Sequence, residues 1–406
     1  MSFDITQKKY NTLYALNEFD SINHVSISAN NIFQFSIPSI KRNIDKVNII
    51  FNNKKPFPRK IKIEYIIYFG NNEKIKIELQ RRIINSKEIF FFDSFAFELF
   101  FIINFSFEKQ FSNQNISDKS TPYCFPKKQD KTDNIFKRMF DRFFRRDEWM
   151  VAYHNSIVSP ENISTCFNKF SILKNKKKSF SADPFIIDNN GFSYIFYEEC
   201  PLKKGGKGYI VCLDINTGKS EIILEEAYHL SYPNVFKIDN DFYMIPQSEN
   251  HCIDLYRATE FPYKWEKCKT ILQHKAFNFG DTNIYFTENS EINITTSPYD
   301  HSFNSNRIRV SWKIADLLSI NSLAFEDCTI LSMSDEFSRN AGNSSVQSDA
   351  LYQNCLKNYG GGLVRKIDSR IIYIENPKNT TGMHTYNISK NYTVIDIKKN
   401  KYGIFL

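Results

Sequence analysis

The chain has 406 residues, a net charge of +8, 42% hydrophobic residues and 16% aromatic ones, led by 38 Phe and 22 Tyr. That length holds one large domain plus a smaller one, and only 13 Gly and 13 Pro exclude a low-complexity, disordered chain. Eight scattered Cys without a C-x-x-C pair exclude a zinc ribbon or a disulfide framework and read as reduced thiols of a cytoplasmic protein. No nucleic-acid motif accompanies the basic charge, so no nucleic-acid partner is expected.

Residues 1–132 read as a divergent N-terminal region of α/β or mainly-β character. Short apolar runs such as Val47–Phe51 and Ile61–Phe69 suggest strands, and residues 111–132 form a polar linker. The opening residues MSFDITQKKY show no apolar core, so no signal peptide is expected. Residues 89–107 are strongly apolar but include Asp93 and Glu98, which favours buried strands or a core helix over a membrane span. A short amphipathic helix is expected over residues 133–146, with Phe136, Met139, Phe140 and Phe143 on one face. Lys137, Arg138, Arg142, Arg145 and Arg146 on that segment form one basic run, and Lys174 with Lys176, Lys177 and Lys178 form another. Both fit solvated surface or peripheral contact with an anionic membrane.

From Trp149 onward the pattern changes to short aromatic-rich strands with turns every 8–12 residues, including GFSYIFYEE, GYIVCLDI, DFYMIPQ, INITTS and RVSWKI. Landmark motifs recur within this region. They are Ala182-Asp183-Pro184-Phe185, His229-Leu230-Ser231-Tyr232-Pro233, Gly280-Asp281-Thr282, Ser338-Arg339 with Gly342, and His384-Thr385-Tyr386-Asn387. They stand roughly 45–60 residues apart, about one propeller blade each. The expected fold is therefore all-β: a five-bladed β-propeller over residues 133–406. In that architecture residues far apart in the chain meet at one central mouth.

Asp183 and Asp281 are the candidate catalytic carboxylates, in general-base and pKa-setting roles. Turn or strand-capping roles are the alternative for both. Glu198, Glu199 and Glu375 are candidate proton donors by position. Glu198, His229, Tyr232, Gln247, Arg339 and His384 are candidate substrate-binding residues, and packed histidines at blade junctions are the alternative for His229 and His384. No metal and no cofactor is expected. The run Lys203-Lys204-Gly205-Gly206-Lys207-Gly208 lacks the phosphate-loop pattern and reads as a hairpin turn.

Together the motifs ADPF, HLSYP, YMIP (Tyr243–Pro246), LYRA-x-x-FP-x-x-W (Leu255–Trp265), SR-x-x-G, QNC-x-x-x-YG (Gln353–Gly360) and HTYN resemble a known module. It is the five-bladed propeller at the N-terminus of glucosamine inositolphosphorylceramide transferases, which also follows formyltransferase-like domains. The module is distantly similar to family-43 glycoside hydrolases. The resemblance implies a glycan-directed role in surface polysaccharide or glycolipid assembly, with a glycan, nucleotide-sugar or glycolipid substrate and partner biosynthetic enzymes. By the same analogy Asp183 matches the general base and Asp281 the pKa-modulating Asp. Two departures stand out: Gln247 replaces the family's Glu after YMIP, and Leu351-Tyr352 runs into Gln353 without the family's Arg. They leave two functions open: a glycosyl-transferring or hydrolase-like enzyme, or a non-catalytic glycan-binding or scaffold module. The catalytic start of a formyltransferase is not visible, so no formyl transfer is expected.

Overall fold

The computed structural model describes residues 24–27, 32–36, 44–52, 60–69, 74–82 and 145–402. Within the last range, 204, 275–276, 288–290, 300–307, 334–338, 348–349, 357–361 and 368–369 fall outside it. By internal contacts the chain forms two compact units, 1–131 with 301–303, and 132–300 with 304–406.

In the first unit, β1 (His24–Ile27), β2 (Ile32–Ser36), β3 (Ile44–Asn52), β4 (Lys60–Phe69) and β5 (Lys74–Arg82) form one antiparallel sheet in chain order. β4 and β5 both open Lys-Ile-Lys-Ile, the period-two alternation of a strand. The segments 89–107 and 111–132 lie outside the described residues. So does the expected helix, except for Arg145 and Arg146. Those two are not helical: they begin strand β6 (Arg145–His154), where they pair with Tyr402 and Lys401. The run continues into the β-favouring Trp-Met-Val-Ala-Tyr, and pairing with a neighbouring strand overrides helical periodicity there.

The second unit is a five-bladed β-propeller of four-stranded antiparallel sheets. Blade 1 holds β8 (Ser179–Asn189), β9 (Phe192–Pro201), β10 (Tyr209–Asp214) and β11 (Ser220–Leu224). Blade 2 holds β12 (Leu230–Ile238), β13 (Asp241–Ser248), β14 (Cys252–Glu260) and β15 (Lys264–Gln273). Blade 3 holds β16 (Asn278–Phe286), β17 (Ile292–Tyr299), β18 (Ile308–Ile314) and β19 (Thr329–Met333). Blade 4 holds β20 (Ser345–Gln347), β21 (Ala350–Leu356), β22 (Leu363–Ile367) and β23 (Arg370–Tyr373). Blade 5 joins β24 (Gly382–Ile388) and β25 (Thr393–Tyr402) to β6 and β7 (Ser171–Ile172), in the order β24-β25-β6-β7. The ring is thus closed by strands from opposite ends of the unit. Among the described residues no helix is long and apolar enough to cross a membrane.

Aromatic residues fill the space between blades. Phe196 of blade 1 meets Trp265 of blade 2 edge-on at 5.9 Å, and Phe242 stacks on Phe261 at 3.7 Å. Trp265 is buried, and its indole N–H donates to Pro262 O at 2.7 Å, which removes the cost of burying that donor.

Four of the five first strands carry the same defect. In β8, β12, β16 and β24 one extra residue bulges the strand, so that two residues face one across the ladder. The pairs are Asp183-Pro184, Tyr232-Pro233, Asp281-Thr282 and His384-Thr385. Asp183, Tyr232 and Asp281 adopt left-handed φ of 52°, 44° and 51°, and Gly342, just before β20, adopts 104°. Such angles are uncommon outside Gly and Asn/Asp. They turn the bulged residues out of the regular pleat.

Candidate functional site

Two ionic centres are built on these bulges. In the first, His384 Nδ1 stands 2.7 Å from Asp183 Oδ1, and Thr385 Oγ1 donates to the same oxygen at 3.0 Å. Asp396 on β25 lies opposite the His384-Thr385 bulge. Its Oδ1 accepts the backbone N–H of His384 (2.8 Å) and Thr385 (2.7 Å), and its Oδ2 accepts that of Asp183 (3.1 Å). One carboxylate therefore satisfies three amides that the bulges take out of the ladder. Burial alone would raise Asp183, but the charge and hydrogen bond of His384 outweigh it and hold Asp183 below the usual carboxylate value. Burial would lower His384, yet Asp183 and Asp396 push it well above 6.5. The centre is an imidazolium between two carboxylates.

The second centre is Asp281 with Arg339. The guanidinium grips the carboxylate with Nε at 2.6 Å from Oδ2 and Nη2 at 3.0 Å from Oδ1. Gln247 Oε1 accepts from Arg339 Nη2 (2.7 Å) and from the Asp281 N–H (3.0 Å), while its Nε2 donates to Tyr299 OH at 3.3 Å. Gly280 makes room: a Cβ there would meet Arg339 Cζ at 2.7 Å. Burial raises Asp281 to about 6, against the lowering effect of Arg339 and His384. The charges of Asp183 and Asp396 add to the rise, so the two centres share one electrostatic field.

Of the three candidate proton donors, only Glu198 joins this field. Neighbouring strand residues point to opposite faces. Glu199 turns away to Tyr209 OH (2.6 Å) and Lys176 Nζ (3.0 Å), and Glu375 is exposed beside Ser164. Glu198 is buried, and burial first, then the charges of Asp183, Asp396 and Asp281, push it well above the usual value. His229 Nε2 stands 3.3 Å from Glu198 Oε1. The His229 Nδ1 accepts the Gly208 N–H at 2.9 Å, so the ring is neutral with its N–H toward Glu198. Burial lowers His229 in keeping with this. The glycine turn is therefore a β9–β10 hairpin with a second role. A Cβ on Gly208 would lie 2.7 Å from Glu198 Oε1 and 2.9 Å from His229 Cε1.

Six of the eight expected site residues thus pair off as Asp183–His384, Asp281–Arg339 and Glu198–His229, and Gln247 bridges within the second pair. Tyr232 belongs to none of these pairs. It is fully buried, and its hydroxyl accepts the Gly342 N–H at 2.7 Å, tying blade 2 to blade 4. Its left-handed backbone turns the phenol across the ring. Sequence reasoning missed Asp396, Thr385, Trp149 and Tyr299. Trp149 lies edge-on to His384 at 5.4 Å, and Arg339 Cζ stands over the Tyr299 ring at 5.5 Å.

Two groups have the composition of a metal site: Asp183, His384 and Asp396, and Glu198, Cys200 and His229. Their ligand atoms lie within 4.8 Å of one another. In the first, the protonated imidazole supplies the positive charge. In the second, the Gly208 N–H leaves His229 Nε2 as a donor, and the Cys200 thiol is pushed up to about 12 by burial.

A family model described as glucosamine inositolphosphorylceramide transferase 1, N-terminal, matches residues 151–380. The protein of that name from Arabidopsis thaliana is 36% identical over 107 residues, and that from Oryza sativa subsp. japonica is 34% identical over 99. Each match covers 23% of this chain and 13% of the relative. Among solved structures, RS223-β-xylosidase covers 55% of this chain and 91% of its own, at 11% identity and a TM-score of 0.39. A family-43 β-xylosidase/α-arabinofuranosidase from a compost microbial metagenome covers 55% and 90%, at 12% identity and 0.38. An α-L-arabinofuranosidase from Podospora anserina covers 54% and 91%, at 10% and 0.38. Because the family model spans more than half of the 406 residues, the chain belongs to the family of the glucosamine inositolphosphorylceramide transferase 1 N-terminal region.

Proposed function

We propose that this propeller acts on glycans in the assembly of surface polysaccharide or glycolipid, as a glycosyl-transferring or glycoside-hydrolase-like enzyme. One observation carries the reading. Neighbouring carboxyl groups sit in opposite environments: His384 and Thr385, at 2.7 and 3.0 Å, hold Asp183 below the usual carboxylate value, while burial beside that charge raises Glu198, whose strand position faces Ala182. Acid–base chemistry on a glycosidic bond needs that separation at one pH. Asp183 serves as base, Glu198 as proton donor, and Asp281 with Arg339 sets the field. Partner biosynthetic enzymes supply the acceptor or donor.

A second reading, a glycan-binding or scaffold module derived from a formyltransferase-linked enzyme, is favoured by Gln247. A neutral amide there receives both Arg339 and the Asp281 N–H, an arrangement complete without a carboxyl group. The test is glycan-array and nucleotide-sugar binding by the wild type, Asp183→Asn, Asp281→Asn and Glu198→Gln, with products read by mass spectrometry. Turnover that falls by about 10²–10⁴ in Glu198→Gln while binding persists supports the enzyme. Binding without turnover, indifferent to all three changes, supports the module and retires the catalytic roles.

A further inference from the structure

Each ionic centre has a half-buried aromatic ring beside it. β25 pairs Lys398 with Trp149 on β6 and with Gly382 at the start of β24, which sets Trp149 two residues before the His384 level. Lys398 Nζ lies over the indole, 5.7 Å from its centroid. In blade 3, Tyr299 pairs with Asn278 at the start of β16, outward of the Gly280–Ser297 level that carries Asp281. Arg339 lies over its ring and Gln247 holds its hydroxyl. Both rings are thus fixed by a cation and by a residue of the centre beside them. The two rings belong to blades 5 and 3, which are not neighbours, so they stand on different sides of the mouth.

We infer that Trp149 and Tyr299 are two sugar-stacking platforms, and that the site takes a unit of two linked sugar rings rather than a monosaccharide. The inference rests on the glycan-directed reading above. A sugar ring has an apolar C–H face and a rim of hydroxyls. An aromatic ring removes the first from water, while imidazole, amide, guanidinium and carboxylate groups receive the second. Each platform has its own such set: His384 with Asp183 beside Trp149, and Gln247 with Arg339 beside Tyr299.

The chain has three Trp, and Trp265 and Trp312 are buried with their N–H groups bonded to Pro262 O and Ala324 O, so a sugar-dependent change in emission reports on Trp149. The experiment titrates the full chain with mono-, di- and trisaccharides of glucose, glucosamine and xylose, followed by fluorescence and calorimetry. Expected is a disaccharide bound about 10-fold or more tighter than its monosaccharide, with altered Trp emission. Trp149→Leu weakens disaccharide binding by a similar factor, Trp149→Tyr restores most of it, and Tyr299→Leu narrows the gap between disaccharide and monosaccharide. Melting curves confirm that each variant is folded, and Trp149→Tyr keeps the test decisive if Trp149→Leu is not. Equal affinity for one and two rings, or binding indifferent to both residues, overturns the inference and leaves the glycan reading standing. Absence of binding and turnover with every sugar, in this panel and on the array, retires both.

Discussion

Asp183 keeps its charge in a buried setting because His384 and Thr385 are placed to receive it, and His384 keeps its proton for the same reason. The linkage has a definite sign. His384 is raised above 6.5, so its stabilisation is fully present below that value and is lost as pH rises through the raised one. Asp183 is lowered, so its contribution is present above 3.8 and is lost as pH falls through the lowered value. Asp281, at about 6, contributes below 3.8 and loses that contribution as pH rises through 6. Thermal unfolding against pH should therefore show a decline on the alkaline side that His384→Gln flattens; an unchanged slope would sink the imidazolium assignment. At neutral pH the ionised Asp281 depends on Arg339. Arg339→Met should cost about 3–5 kcal/mol by leaving a buried charge unpaired. Adding Asp281→Asn should recover part of that loss, read by urea unfolding. At this scale the sequence already pointed to Asp183, Asp281, Arg339 and His384, because each stands in a motif broken by Pro, Gly or a β-branched neighbour. It could not choose between Glu198 and Glu199. Adjacent strand residues face opposite ways, and only the pairing of Ala182 with Glu198 decides which one looks at Asp183.

The bulged first strand is the element that makes the site. Its repetition was hidden because the residue pairs differ in chemistry and share only a backbone path. Asp-Pro, Tyr-Pro, Asp-Thr and His-Thr have no common side chain to align. Asp396 was hidden for a related reason: it sits in Thr-Val-Ile-Asp-Ile-Lys, an ordinary alternating strand, and its role exists only against the bulge opposite. In Asp396→Ala, hydrogen exchange should accelerate at the amides of residues 183, 384 and 385, while the Asp281 amide, held by Gln247, stays protected. Gly342 offers a sharper backbone test. With φ at 104°, and a Cβ that would meet the Tyr386 backbone C at 2.8 Å, Gly342→Ala should destabilise by more than about 1 kcal/mol, seen as a lower melting temperature.

Five blades and their approximate spacing were legible because landmark and blade share a period. How the ring closes was not, since pairing of β6 with β25 leaves no local trace. His384 and Asp396 come from one end of the unit and Trp149 from the other, so closure and site are one event. Removing residues 382–406 should abolish cooperative thermal unfolding of the propeller, because blade 5 would keep only β6 and β7. A chain that still melts in a single sharp transition would show that closure contributes little.

The same closing blade sets a time order on biosynthesis. Thr393 Oγ1 bonds Ser156 O across 237 residues of chain. At the usual ~5–20 residues per second of translation, β6 waits on the order of 10–50 s for its partner strand. Through that interval Asp183 has neither His384 nor Asp396. The Asp183–His384–Asp396 centre thus cannot assemble until the final blade emerges.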